Sequence, residues 1–311
     1  MNKMITHTAL ALVLSATAAF AEYPEKPVEF IVPFPPGDLE DVLTRMIADK
    51  FQEMYGVPAA VVNKPGGGGG PFPGAVEVAG AKPDGYTVGS FVIDVPVVGP
   101  TIGIPELDPN PFDPVGIFLT YPFVVATLAS QPYDTWEELS EYAKTNDVSL
   151  GHYGSFLAPT QVTFAGAQKS GWDFTSEAAF DLLDCNVLAS GDVDIVNATL
   201  QTLLPCINDL KILASIGEAR TPVTPDTPTI AELVPGLTLS LWNGLFLPKG
   251  TPQEAADKIE AAAKAALETD AAKKLAQDTG ALIYWKDAAQ ASDQIAQDIE
   301  VNTEIQQLLD N

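Results

Sequence analysis

Residues 28–55 read VEFIVPFPPGDLEDVLTRMIADKFQEMY, and this stretch decides the fold class. Val28-Glu29-Phe30-Ile31-Val32 follows Pro24 and Pro27 and has the pattern of a buried strand. Pro33 to Gly37 breaks it. Leu39, Val42, Leu43, Met46, Ile47, Phe51 and Met54 then recur at three- and four-residue steps. That spacing predicts an amphipathic helix of about four turns, stopped by Gly56.

The theme continues outward. Ala59 to Val62 reads as a second strand, Gly66 to Gly70 as a flexible loop, Ala75 to Ala81 as a short helix and Tyr86 to Ile93 as a third strand. Strand, helix, strand, helix, strand predicts a parallel sheet covered by helices. In the middle of the chain, strands are expected at Phe123 to Leu128, Ser149 to Tyr153, Val193 to Asn197 and Lys211 to Ser215. Helices are expected from a Thr135 cap through Ala143, at Thr160 to Ser170, and from the Val193 strand's end to Ile207. Thr251-Pro252-Gln253-Glu254 has the form of a capping box with proline at the first helical position, opening a helix that runs to Gly280. Leu282 to Trp285 and Asp287 to Leu309 read as a last strand and helix.

The expected fold is therefore α/β with two lobes. Residues 22–121 plus 242–311 form the first lobe and 122–241 the second. Ligands of open α/β sheets bind beyond the carboxyl ends of the strands. Two such sheets facing each other make a cleft that closes by a hinge.

Residues 1–21 read as a secretory signal peptide: Lys3, the apolar stretch Ala9 to Phe20, and the small-x-small site Ala19-Phe20-Ala21. No cysteine follows to carry a lipid, so a periplasmic location is expected. Asp and Glu number 41 against 16 Lys and Arg, for a net charge of −25. Nucleic acid and anionic membrane surfaces are unsuited to such a chain, because both need basic clusters. The dispersed acids serve solubility. Two histidines, His7 and His152, leave only His152 beyond the signal peptide. A zinc site built on several imidazoles is impossible. No G-x-S-x-G elbow is present, and no second residue completes a nucleophile–base arrangement, so no catalytic residue is assigned. The glycine run lacks a following Gly-Lys-Ser/Thr, so it is not a phosphate loop. No cofactor and no metal ligand set is expected. Cys185 and Cys206 are either a disulfide or two buried thiols; sequence leaves both open.

Several segments together resemble the receptor proteins of tripartite tricarboxylate transporters, the Bug family. They are Tyr23-Pro24-x-Lys26-Pro27, Ile31-Val32-Pro33-Phe34-x-Pro36-Gly37 with Asp41 and Arg45, Val62-Asn63-Lys64-Pro65-Gly66, and Pro83-Asp84-Gly85-Tyr86-Thr87. Later come Gly191-Asp192-Val193-Asp194, Arg220-Thr221-Pro222, Thr227-Pro228-Thr229, and Trp242-Asn243-Gly244-Leu245-Phe246-x-Pro248-x-Gly250-Thr251-Pro252. The resemblance covers essentially all of the chain after residue 21. It implies a two-lobed, periplasmic-binding-protein-like fold and a receptor that passes small molecules, mostly carboxylates, to integral-membrane transporter subunits; the chain itself is expected to be a monomer. A ligand-sensing partner of a membrane sensor kinase would use the same fold.

The resemblance also implies that the loops at 34–41 and 151–160 pinch the ligand. Both lead into helices, whose free N–H groups bind anions. The ligand-binding candidates are Phe34, Pro35, Gly37, Asp38, Leu39 and Asp41 in the first loop, and His152, Tyr153, Gly154 and Ser155 in the second. Ser90 and Asp94 end the third strand. Asn197 and Thr199 stand where the family often has a selective aspartate. Asp38, Leu39 and Glu40 depart from the run of small residues that the family carries after Pro36-Gly37. Asp38 is either a helix N-cap, or it or Glu40 faces the cleft. The expected ligand is a monocarboxylate, a zwitterion, or a neutral or cationic compound rather than a simple dicarboxylate.

Overall fold

A computed structural model describes residues 22–66 and 70–310. The expected signal peptide and the centre of the glycine run lie outside the described residues. Strand β1 (Val28–Val32) is the axis of the first lobe. Strands β2 (Ala59–Asn63) and β3 (Thr87–Val92) pair with it in parallel, one on each side. Helix α1 (Leu39–Tyr55) covers them. Its Leu39, Leu43, Ile47 and Phe51 lie at four-residue steps and are all at most 2% exposed. Each such burial contributes roughly 1.5–3 kcal/mol. Phe51 meets Phe30 of β1 edge to face, with ring centroids 6.2 Å apart. Gly56 ends the helix at φ 70°, a left-handed conformation that favours glycine, and donates its N–H to Gln52 O. Helix α2 (Phe72–Ala79) starts three residues before the expected Ala75, with Pro73 in its first turn.

The first sheet is mixed. Beyond β3 it continues with three antiparallel strands, β10 (Trp242–Pro248), β4 (Phe112–Thr120) and β11 (Leu282–Asp287), in the order β11-β4-β10-β3-β1-β2. The sequence carries little local signal for β4 and β10. Both are nearly continuous buried runs rather than alternating ones, and both contain proline and glycine. Gly116 is required by close approach: a Cβ there would lie 2.3 Å from the Trp285 ring.

The second sheet runs β7 (Ser176–Ala179), β6 (Ser149–His152), β8 (Ile195–Thr199), β5 (Phe123–Leu128), β9 (Leu210–Ile216). Strand β6 is parallel to β7 and β8, while β5 is antiparallel to β8 and β9. Helix α4 (Trp136–Ala143) is capped by the Thr135 hydroxyl, which accepts from Glu138 N–H, as the sequence suggests. Helix α5 (Ala158–Lys169) begins two residues before Thr160. Cys185, at the start of α6 (Cys185–Ser190), is bonded to Cys206, which follows the short helix α7 (Leu200–Leu203), with Cα atoms 6.0 Å apart.

Two expectations for the C-terminal part are corrected. Thr251 does not cap helix α9 (Gln253–Leu267): its hydroxyl donates to Pro248 O at 2.7 Å and closes the preceding turn. The predicted helix to Gly280 is also two helices. Thr269 accepts from Ala272 N–H and starts α10 (Asp270–Thr279), so Thr269-Asp270 was the overlooked start signal. Helix α11 (Ala288–Leu309) opens on a capping box of Asp287 and Gln290. Its far end reaches α5, where Gln306 Nε2 donates to Gln161 Oε1 at 2.8 Å. The chain crosses between the sheets at Tyr121-Pro122 and again between β9 and β10, after the short helix α8 (Ile230–Leu233).

Candidate ligand cleft

The facing ends of the two sheets enclose a cleft of about 750 Å³, its open mouth included. Phe34, Pro35 and Asp38 enter it from the segment joining β1 to α1, and Glu40 from the first turn of α1. Val92, Ile93 and Asp94 enter from the end of β3 and the start of the short helix α3 (Asp94–Val97). Tyr121 and Phe123 flank one crossing, and Leu241 and Trp242 end the other. From the second lobe come Tyr153, Leu157 and Pro159, then Asp181 and Leu182, then Thr199 and Gln201.

Of the residues singled out in the sequence, the structure brings Phe34, Pro35, Asp38, Asp94, Tyr153 and Thr199 together here. The others stand behind the walls. Leu39 is a core residue of α1. Gly37 has φ 98° and donates its N–H to Asp41 Oδ2 at 2.9 Å. Asp41 also accepts from Arg45 Nε at 3.0 Å and Asn63 Nδ2 at 2.8 Å, which ties the loop to β2. Ser90 lies in a buried chain beneath the cleft: Asn243 Nδ2 donates to Ser90 Oγ, which meets Thr44 Oγ1, both at 2.8 Å. His152 is 2% exposed, with Nε2 3.2 Å from Glu177 and its ring against Phe164. Burial holds its pKa below the ordinary value despite Glu177. Asn197 is buried and donates to Thr163 Oγ1 at 3.0 Å. Gly154 O accepts from Leu157 N–H, and Ser155 O accepts from the Gln161 amide, so both shape the turn into α5.

Glu40, Tyr121, Phe123, Asp181, Leu182, Gln201, Leu241 and Trp242 line the cleft without having been assigned to it. Glu40 was in view as a departure from the family pattern. Trp242 opens a segment already quoted for the resemblance; the others arrive from the crossings, from the turn before α6 and, for Gln201, from α7, none of which carries a motif.

Asp38 occupies the N-cap position of α1, but its side chain makes no capping bond. The carboxylate that serves the turn is that of Asp41. Burial alone would raise the Asp41 pKa, yet Arg45, the Gly37 N–H and Asn63 together hold it below the usual range. Asp38 is left facing the cleft, and burial together with the Asp41 charge pushes it up to about 6. Glu40 is 4% exposed and accepts from Tyr121 Oη at 3.0 Å. Burial, and then the nearby Asp38 charge, push it up to about 8. Asp94 is equally buried and is pushed up to about 6 by burial, partly offset by the N–H of Ala158, which it accepts at 2.7 Å. Among the described residues lining the cleft, none is Lys, Arg or His. Among the described residues, no group of three acidic, His or Cys side chains is placed to hold a metal ion.

Two mixed α/β lobes around a cleft define a solute-binding protein of the periplasmic type. The chain belongs to the tripartite tricarboxylate transporter family of receptors, whose sequence model matches residues 43–309. It is a binding receptor family, not an enzyme family. The chain is similar to a UPF0065 protein from the tcbD-tcbE intergenic region of Pseudomonas sp. (strain P51), 28% identical over 277 residues, covering 84% of this chain and 80% of that protein. Among solved structures, one described as a periplasmic transporter superposes with a TM-score of 0.78 at 27% identity, covering 89% of this chain and 95% of its own. MatC from Rhodopseudomonas palustris, solved with bound malate, superposes with a TM-score of 0.76 at 25% identity, covering 93% and 99%.

Proposed function

We propose that this chain is a periplasmic receptor that carries a small organic molecule to the integral-membrane subunits of a tripartite tricarboxylate-type transporter. The reading is carried by the cleft: both lobes contribute side chains to one cavity, from the loops that lead into α1 and α5. Residues 22–121 plus 242–311 and residues 122–241 act as its two jaws. Phe34, Pro35, Asp38, Asp94, Tyr153 and Thr199 contact the ligand, joined by Glu40 and Tyr121. Gly37, Asp41, Gly154 and Ser155 hold the loops in shape. Membership of the receptor family supports the transport role. The leader-like first 21 residues support export.

Uptake tests the reading directly. The membrane subunits are reconstituted in vesicles, with and without the mature chain. Solute accumulation is expected only when the chain is present. Equal accumulation without it would overturn the transport role.

A further inference from the structure

The walls of this cleft are unsuited to an anion. The N–H groups at a helix start are the natural holders of a carboxylate. Here Ala158 N–H, at the start of α5, is already given to Asp94 at 2.7 Å. Gly37 N–H, in the turn just before the α1 N-cap Asp38, is already given to Asp41 at 2.9 Å. A ligand carboxylate would find these donors filled and Asp38, Glu40 and Asp94 facing it. No cationic side chain lines the cleft among the described residues to offset them.

The same walls suit a cation. The Asp38 side chain makes no capping hydrogen bond, and no described residue forms an ion pair with it. Glu40 is buried and receives one side-chain hydrogen bond, from Tyr121. Buried carboxylates without a counter-charge are costly, so a positive ligand group relieves a penalty that the empty cleft carries. Aromatic rings supply the rest. Tyr121, Phe123 and Tyr153 form a row of edge-to-face contacts, with successive centroids 6.1 and 6.2 Å apart. Ring faces attract ammonium and guanidinium groups, more strongly where water is excluded. The acids are not grouped closely enough for three of them to share a metal ion, so the complement is an extended cation with an apolar body.

On the receptor reading above, we infer that the solute held in this cleft is an organic cation, its ammonium or guanidinium group set against Asp38 and Glu40 and beside the Tyr121–Phe123–Tyr153 wall. The charge of the ligand would then be opposite to that of the malate bound by MatC.

The test is a thermal-shift and calorimetric panel on the mature chain at pH 8. The panel holds small amines, quaternary ammonium compounds and guanidines, with carboxylates and neutral amides of matched apolar bodies. Binding is expected to be confined to the cations. Relative strength among them separates a hydrogen-bonded ammonium from a cation–π-held quaternary group. Glu40→Gln and Asp38→Asn should each weaken the best cation about tenfold or more, roughly one lost charge interaction. Glu40→Gln keeps an acceptor for Tyr121, and an unliganded melting temperature no lower than the parent's shows that it folds. Hits among carboxylates or neutral amides only, or cation binding unchanged in both variants, would overturn the inference and leave the receptor reading standing. If nothing of any charge binds, both fall.

Discussion

Asp94 on the first lobe and Ala158 on the second are joined by a 2.7 Å hydrogen bond from the Ala158 amide to the Asp94 carboxylate, across the floor of the cleft. The bond does two things. It ties the jaws together, and it fills the helix start that an anionic solute would use. Asp94→Ala therefore has two expected outcomes. The unliganded chain should open, seen as a larger radius of gyration by small-angle X-ray scattering. Affinity for a small carboxylate should also rise by roughly tenfold, the equivalent of one charge-assisted hydrogen bond. Asp94→Asn, which keeps an acceptor, should change the scattering little. An unaltered profile and unaltered carboxylate affinity in Asp94→Ala would remove the assignment of Asp94 as a latch.

The buried acids set a pH dependence of the unliganded protein. Glu40 is pushed up to about 8, and Asp38, Asp94 and, on α11, Asp298, which accepts from Trp242 Nε1, to about 6, all chiefly by burial. A folded acid with a raised pKa binds protons that the unfolded chain releases, so its contribution is greatest at low pH and is lost as pH rises through the folded pKa. Asp41 works the other way, because its pKa is lowered: its contribution is lost as pH falls through the ordinary acid range. The melting temperature of the empty chain should peak near pH 5 and decline toward pH 8.5, by a loss on the order of 1–3 kcal/mol. General repulsion among the surface acids acts in the same direction. Glu40→Gln separates the two, since it should flatten the slope between pH 6 and 8.5. A melting temperature that rises over that interval in the parent would contradict the burial argument.

How much of this was legible in the sequence depends on the range of the contacts. The β1-α1-β2 unit is read correctly because α1 packs through one local stripe, Leu39 to Phe51, and Gly56 marks its end. Strands β4 and β10 pair with each other across more than a hundred residues, and their Pro114, Gly116 and Gly244 imitate loop composition. Nothing local reveals that Gly116 is there to admit Trp285. The cleft follows the same rule. Asp38 and Glu40 stand out because they interrupt a glycine-led turn. Which of Asp38 and Asp41 serves that turn is decided by Arg45 and Asn63, and Asn63 lies on another strand. Tyr121, Leu241 and Trp242 reach the cleft only because the chain changes lobe beside them.

The disulfide lies close to one wall of the cleft. Cys185 follows the cleft-lining Asp181 and Leu182 by a few residues, and Cys206 follows the cleft-lining Gln201. Closing a loop of this length in the unfolded chain is worth about 3 kcal/mol. Replacing both cysteines by serine should lower stability by about that amount, read as a lower urea midpoint with little change in slope. The same loss should follow reduction of the parent with dithiothreitol, and the double variant should not respond to the reductant. An equal response in both would place the reductant's effect elsewhere.

The last prediction joins the cleft's protons to its ligand. At pH 5 the groups facing the cavity are Asp38, Glu40 and Asp94 from the first lobe, Asp181 from the second, and the phenols of Tyr121 and Tyr153. Burial pushes Tyr153 up to about 12 and raises Tyr121 well above its ordinary value, so neither phenol titrates in the range that matters. Glu40, Asp38 and Asp94 are protonated at pH 5 and become charged as pH rises through about 6 and then about 8. A permanently charged quaternary ammonium ligand competes with those protons. Its affinity should therefore increase from pH 5 to pH 8.5, and calorimetry in buffers of different ionisation enthalpy should register proton release on binding below pH 8. The size of the release should fall in Glu40→Gln, which has one carboxyl fewer to discharge. An affinity independent of pH, with no proton released, would mean that the bound charge does not sit against these acids.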